Sequence, residues 1–265
     1  MATYFQVRVF HDQGTYAAQA AQAAFHLLDS LESRLSRFRD NSDIVRIANL
    51  APSESMRLSE PAFTCLQIAK TMELATRCAF CATPAALKTQ ERLPQWRLLP
   101  DDRSILCVNG RLQFDLGAIG KGFALDRMAE LLSQWDCPSF LLVAGGSSIL
   151  AGDPPANAGG WSCGLGEDNA SQRFLLAHAS LSGSGLAVQG DHILDPRTGR
   201  PASRQMRAWV LADTAAESDA LSTACMVLTE AELEEVLAQE NSWLALLDTA
   251  EGVRPIGNRA LPMPG

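Results

Sequence analysis

Two hydrophobic periods run along this chain, and they do not alternate in a regular order. Tyr4–Phe10 (YFQVRVF) puts Phe5, Val7 and Val9 on one face and Gln6 and Arg8 on the other, the period-two signature of a half-buried strand. From Thr15 to about Arg39 the period becomes helical. This stretch is rich in Ala and Gln, with Phe25, Leu28, Leu35 and Phe38 at the spacing of a core-facing stripe. Ser59-Glu60-Pro61 opens a second helix, serine as the cap and proline in the first turn, running to about Arg77. Ala79 to Asp102 has little periodicity and reads as loop. Ile105–Phe114 (ILCVNGRLQF) reads as a hairpin around Asn109-Gly110, the pair a tight primed turn needs.

Farther along, a Gly-rich turn feeds a helix from about Gly120 to Trp135, and Ser139–Gly146 (SFLLVAGG) is a buried strand ending in two glycines. Short strands are expected near 161–165 and 173–178, and a longer one at 206–212. Ser180–Ala202 reads as turn-rich. Helices follow from Ser218 to about Leu228 and over Ala231–Gln239, then a strand at 242–248, then an irregular tail from Gly252. Helices and strands mix without a strict βαβ repeat. That order predicts an α+β fold with mainly antiparallel sheet, in one compact domain over 1–265.

Composition narrows the function. Lys+Arg total 22, of which three are lysines (Lys70, Lys88, Lys121) and 19 arginines, against 30 Asp+Glu, for a net charge of −8. With no basic run, binding to nucleic acid or anionic lipid through bulk positive charge is excluded. No apolar stretch approaches the roughly 18 residues of a membrane span. The first residues lack the basic and apolar regions of a secretory signal, so the chain as given reads as cytoplasmic. A periplasmic or membrane-anchored protein is the alternative if the N-terminus is trimmed. Seven scattered cysteines suit free thiols. Cys78-x-x-Cys81 has no second pair to complete a zinc site, so two packed small side chains are the plainer reading than metal or redox chemistry.

Three segments carry candidate chemistry. Asp115-Leu-Gly-Ala-Ile-Gly-Lys121-Gly122 combines a carboxylate, glycines and a lysine at a helix entrance. Backbone N–H groups there attract anions, and glycine lets a phosphate approach. The spacing is neither a Walker loop nor a GxGxxG turn. An ordinary turn with a solvated lysine is the competing reading, weakened because a cation at a helix N-terminus opposes the helix dipole. In Asp219-Ala-Leu-Ser222-Thr223, positions i and i+4 share a face, so carboxylate and hydroxyl can converge on a hard cation such as Mg²⁺. Plain helix capping by Ser218 or Asp219 is the commoner alternative. His192–Pro201 (HILDPRTGRP) is a strand and turn whose histidine is either a proton carrier or structural. Ser182-Gly183-Ser184-Gly185 is either a donor-bearing loop or a flexible turn, and no GxSxG elbow supports a serine hydrolase.

Together these pieces resemble the ApbE-type flavin transferases (FAD:protein FMN transferases) nearly end to end. The resemblance rests on FHDQGT (Phe10–Thr15), LSRFRDNSDIVRIAN (Leu35–Asn49), DLGAIGKGFALD (Asp115–Asp126), LLVAGG (Leu141–Gly146), HILDPRTGRP and SDALSTACMVL (Ser218–Leu228). It implies Mg²⁺-dependent transfer of FMN from FAD to a Thr or Ser hydroxyl of an acceptor redox protein, with AMP leaving. The fold it implies is related to the T-fold, with an internal β–α duplication. Mg²⁺ would be held by the carbonyl of Ala118 and the side chains of Asp219 and Thr223, with Ser222 adjacent. Lys121 and Asp115 would contact FAD. Gln13, Phe38, Ala79, Phe80, Cys81, His192 and Ile193 would line the flavin and adenine site, and His192 would activate the acceptor hydroxyl. The chain departs from the family where members read GAFD, GGD and a second metal-motif carboxylate; here stand Cys81, Ser147 and Ser222. Those departures give the alternative of a non-catalytic FAD-binding protein on the same scaffold.

Overall fold

The structure is a computed structural model that describes residues 3–84, 93–165, 173–185, 194–202 and 207–262. In chain order its elements are β1 (Phe5–Val9), α1 (Gly14–Leu35), α2 (Asp43–Ile47), β2 (Ser55–Arg57), α3 (Glu60–Ala75), β3 (Gln95–Leu99), β4 (Ser104–Asn109), α4 (Gly120–Gln134), β5 (Phe140–Ala144), β6 (Ser148–Ala151), β7 (Trp161–Gly164), β8 (Arg173–Leu176), β9 (Ala179–Gly185), β10 (Arg207–Ala212), α5 (Ala215–Cys225), α6 (Glu230–Leu237), β11 (Leu244–Thr249) and β12 (Gly252–Gly257). Seven strands form one sheet in the order β1-β5-β6-β9-β10-β11-β12, with every pairing antiparallel. The α+β, mainly antiparallel expectation holds.

The central strands are covered on both faces, which explains their continuous apolar runs. On β10, Ala208, Val210 and Ala212 face the helical side, while Leu211 and half-buried Trp209 face the opposite layer. On β5, Phe140, Leu142 and Ala144 meet α1 and α4, while Leu141 packs with Trp161 and Cys163 of the β7–β8 hairpin. A three-stranded sheet, β2-β4-β3, adds to the core beside α3.

Several expectations are corrected. The stripe on α1 is Ala20, Ala24, Leu31 and Leu35; Phe25 and Phe38 are exposed. Alanine brings α1 close to its neighbours, so small residues make the contact the phenylalanines were expected to make. The hairpin exists but lies one strand earlier. β4 pairs back onto β3 through a 3₁₀ turn at Pro100–Asp102, and residues 110–119 form no strand. The span expected to be loop therefore holds β3. The Ser- and Gly-rich span from 180 begins with a paired strand, β9. The tail from Gly252 is also a strand, β12, paired along its whole length with β11.

Candidate functional site

Helix α5 starts at Ala215, not at Ser218. Thr214 is its cap and accepts from Glu217 N at 3.3 Å. Asp126 of α4 accepts from Ala215 N at 2.7 Å and from Ala216 N at 2.9 Å, so a second carboxylate serves the same end. Asp219 therefore stands in the second turn, and helix capping is not its task. Its side chain is buried, and its oxygens accept from Lys121 Nζ at 2.9 and 3.3 Å, Gly122 N at 3.1 Å and Ser148 Oγ at 3.4 Å. A buried carboxylate is tolerable only when paired and hydrogen-bonded, and this one is both.

Close approach of α4 to α5 makes that contact possible. A Cβ on Gly122 would lie 2.0 Å from the carbonyl oxygen of Ala215, so glycine is required there. Lys121, 21% exposed, is no solvated lysine: its ammonium also donates to the carbonyl of Gly117 at 3.0 Å. Ala118 follows Gly117 in the same turn. Asp115 Oδ1 accepts from Gly117 N at 3.0 Å, and its Oδ2 pairs with Arg37 at 2.5 Å. The Arg37 guanidinium lies 4.8 Å from the ring of Phe38, which is 70% exposed. A continuous polar line thus runs from Phe38 through Arg37, Asp115, Gly117 and Lys121 to Asp219.

Hydroxyls extend the line. Ser184 Oγ lies 2.9 Å from Ser222 Oγ and 3.3 Å from Thr223 Oγ1. Ser222 also donates to the carbonyl of Asp219 at 2.9 Å. Ser180 and Ser182 meet Ser218 at 2.6 and 2.8 Å. Every second residue of β9 thus offers a hydroxyl to one face of α5, which is why a Ser-rich segment is a buried strand. The turn after β5, with Gly145 and Gly146 at positive φ, leads through Ser147 to Ser148 at the same corner. Thr3 reaches this corner too: a Cβ on Gly145 would lie 2.5 Å from its Oγ1.

The remaining expected residues divide. Ala79, Phe80 and Cys81 are buried, in a segment whose Ala82 carbonyl accepts from Asp115 N at 2.8 Å, so they run beside the Gly-rich turn. Burial, with the charge of Glu73 second, pushes the Cys81 thiol up to about 11. Its Sγ lies 3.5 Å from Thr83 Oγ1. Gln13 lies far from Phe38. It precedes α1, whereas Phe38 follows it, and 22 residues of helix at about 1.5 Å each separate the two by roughly 30 Å. His192 and Ile193 lie outside the described residues. The DPRTG turn that follows them is locked: Asp195 Oδ1 accepts from Arg197 N at 2.9 Å and Nε at 3.0 Å, and Arg197 NH1 donates to Glu232 at 2.7 Å. Glu232 caps α6 with Thr229, and the backbone N–H of Thr229 is the main cause holding its carboxyl down at about 2.

Sequence reading missed Arg37, Ser148 and Arg197; Ser184 lay in a segment read as a donor-bearing loop or a flexible turn, which the structure corrects to strand β9. The Ser-Gly alternation of β9 was the one visible signal. Among the described residues, no cluster of three or more His, Cys, Asp or Glu side chains can hold a metal. A hard cation at Asp219 would depend on hydroxyl, carbonyl, water or ligand oxygens.

Fold and site together define an α+β protein with a buried acid–lysine pair at a glycine-rich helix entrance, one carboxylate set in a surround of oxygen donors. The chain belongs to the ApbE family, whose model matches residues 1–247. It is similar to a Klebsiella pneumoniae protein named FAD:protein FMN transferase, 25% identical over 221 residues, covering 70% of this chain and 68% of the relative. A Vibrio cholerae protein of the same name is 23% identical over 270 residues, covering 87% and 80%. The chain spans less than half the length of the Salmonella typhimurium and Escherichia coli K12 relatives it also matches. The fold superimposes on the flavin transferase ApbE from Vibrio cholerae with a TM-score of 0.82 at 19% identity, over 96% of this chain and 93% of that one. Among the described residues, no helix is long and apolar enough to cross a membrane.

Proposed function

We propose that this protein transfers FMN from FAD to a Thr or Ser hydroxyl of an acceptor redox protein, releasing AMP. The observation that carries the reading is the Lys121–Asp219 pair, seated on the Gly117 carbonyl at the entrance of α4. Breaking a pyrophosphate demands charge neutralisation at the phosphates and help in deprotonating the acceptor.

The donor set suits a hard cation. It is all oxygen, and its buried carboxylate already draws a positive charge to itself. Asp219, Thr223 and the carbonyl of Ala118 would hold Mg²⁺, with Ser222 beside them. The ion would supply charge neutralisation at the pyrophosphate. Lys121 and the backbone donors of the Gly-rich turn bind and orient the phosphates. Asp115, Phe38 and the Ala79–Cys81 segment orient the rest of FAD. His192 and Ile193 lie outside the described residues; in this reading His192 takes the acceptor's proton.

Cys81 and Ser222 favour a second reading. Both are neutral and already bonded within the chain, which leaves Asp115 and Asp219 as the carboxylates among the residues expected to meet FAD or the metal. In that reading the protein binds FAD without turning it over. Incubation with FAD, Mg²⁺ and a domain carrying a flavinylation site separates the two. AMP release with covalent flavin on the acceptor supports transfer. A thermal shift with FAD and Mg²⁺ but no AMP supports binding alone. Neither signal, with FAD at 100 times any plausible Kd, where about 2.7 kcal/mol of stabilisation is due, removes both.

A further inference from the structure

We infer that Lys121 is the resident counter-ion of the cation seat, and that a divalent ion gains Asp219 only by displacing it. This rests on the placement of Mg²⁺ at Asp219 proposed above. The Lys121 ammonium lies 2.9 and 3.3 Å from the two carboxylate oxygens and 3.0 Å from the Gly117 carbonyl. Three oxygens thus surround one positive charge, the coordination a small cation would take over. With Asp219 buried and Lys121 only 21% exposed, the pair is little screened by water.

The other donors on Asp219, Gly122 N and Ser148 Oγ, are neutral and fixed by the backbone of α4 and β6. Lys121 alone has a flexible stem, so it is the partner that can leave. The neighbouring cation Arg37 is engaged by Asp115 instead. An arriving metal therefore finds its carboxylate occupied, and a displaced ammonium needs a new anion. The pyrophosphate of a dinucleotide is that anion. Metal and dinucleotide consequently bind as a unit, each raising the other's affinity by the same factor. The lysine keeps a metal-free and ligand-free seat neutral, and it makes metal alone a poor ligand.

The test uses Mn²⁺ alone as the probe, its free ion counted by electron paramagnetic resonance in titrations of the full chain. Lys121→Gln, which keeps a hydrogen-bond donor but loses the charge, is expected to bind Mn²⁺ about tenfold more tightly than the wild type without nucleotide. Lys121→Met provides a second variant should one fold poorly. Arg254→Gln removes the same unit of charge from the edge strand β12, where the arginine pairs with Glu230, and is expected to change Mn²⁺ affinity by less than about twofold. Unchanged or weaker binding in both Lys121 variants overturns the displacement, as does an equal gain in Arg254→Gln. Asp219→Asn separates the two readings. If it abolishes Mn²⁺ binding while the Lys121 variants show no gain, only the displacement falls. If Mn²⁺ binds with FAD regardless of Asp219, the metal placement falls with it.

Discussion

Asp126 shows what one carboxylate contributes when its charge is half wanted. It holds the first two amides of α5, which favours the ionised form, yet burial outweighs them and pushes it up to about 7 from 3.8. The folded protein therefore keeps a proton that the unfolded chain releases, and stability falls as pH rises through that window. The advantage of the wild type over Asp126→Asn is expected to be largest below about pH 3.8, to fall steadily from there to about pH 7, and to be gone by pH 8, read as the shift in urea midpoint. A constant difference would place the burden on the hydrogen bonds alone. Lys121 was legible at this scale, because a scarce lysine sits where the helix dipole opposes it. Its partner was not: Asp219 lies 98 residues away, and no local pattern couples them. Gln13 presents the opposite case. Its motif matched in letters, but the chain there turns into α1 and carries the residue to the far end of the helix.

Among elements, the decisive contact is α4 against α5. Gly122 lets the backbones touch, and that approach places Gly122 N and Lys121 on Asp219. Gly122→Ala has no room without separating the helices. It is expected to cost about 2 kcal/mol or more and to weaken Mn²⁺ binding in the same protein, measured by urea denaturation and metal titration. Wild-type values for both would mean that the helices separate without consequence. A second joint ties the DPRTG turn to α6 through Arg197 and Glu232. Because the Glu232 carboxyl is lowered from 4.5 to about 2, its contribution is present above pH 4.5 and is lost as pH falls toward 2. The wild type should exceed Glu232→Gln by about 1 kcal/mol at pH 7, the scale of a helix cap, and by nothing near pH 2. Most helices could be read from sequence because caps and periodicity are local. β9 and β12 could not, since a serine-rich strand and an edge strand holding Pro255 are defined by their neighbours.

At the scale of the molecule, the excess of acid and the scarcity of lysine bear on one another. A net charge of −8 leaves little general attraction for a polyanion, so positive charge at the Gly-rich turn must be local and compensated. The ion pairs Arg37–Asp115 and Lys121–Asp219 do this, each cation being held by a carboxylate. The cysteines give the fold a global probe of the same burial. All seven are free thiols, six are buried, and Cys78 is exposed. Burial drives Cys65 and Cys225 to about 12 and Cys81 and Cys163 to about 11, so at neutral pH these four are protonated as well as covered. One thiol per chain is therefore expected to react rapidly with a disulfide reagent such as dithionitrobenzoate, and all seven after denaturation. Cys78→Ser should abolish the fast phase without changing the urea midpoint beyond the small effect usual for a surface site. The buried six report the opening of different parts of the core: Cys65 and Cys225 lie among the helices next to the site, whereas Cys163 lies in the layer across the sheet. If FAD with Mg²⁺ tightens the α4–α5 corner, Cys65 and Cys225 should slow together while Cys163 keeps its rate. Uniform slowing of all three would instead mean that ligand acts on global stability, and no slowing that the corner is not where it binds.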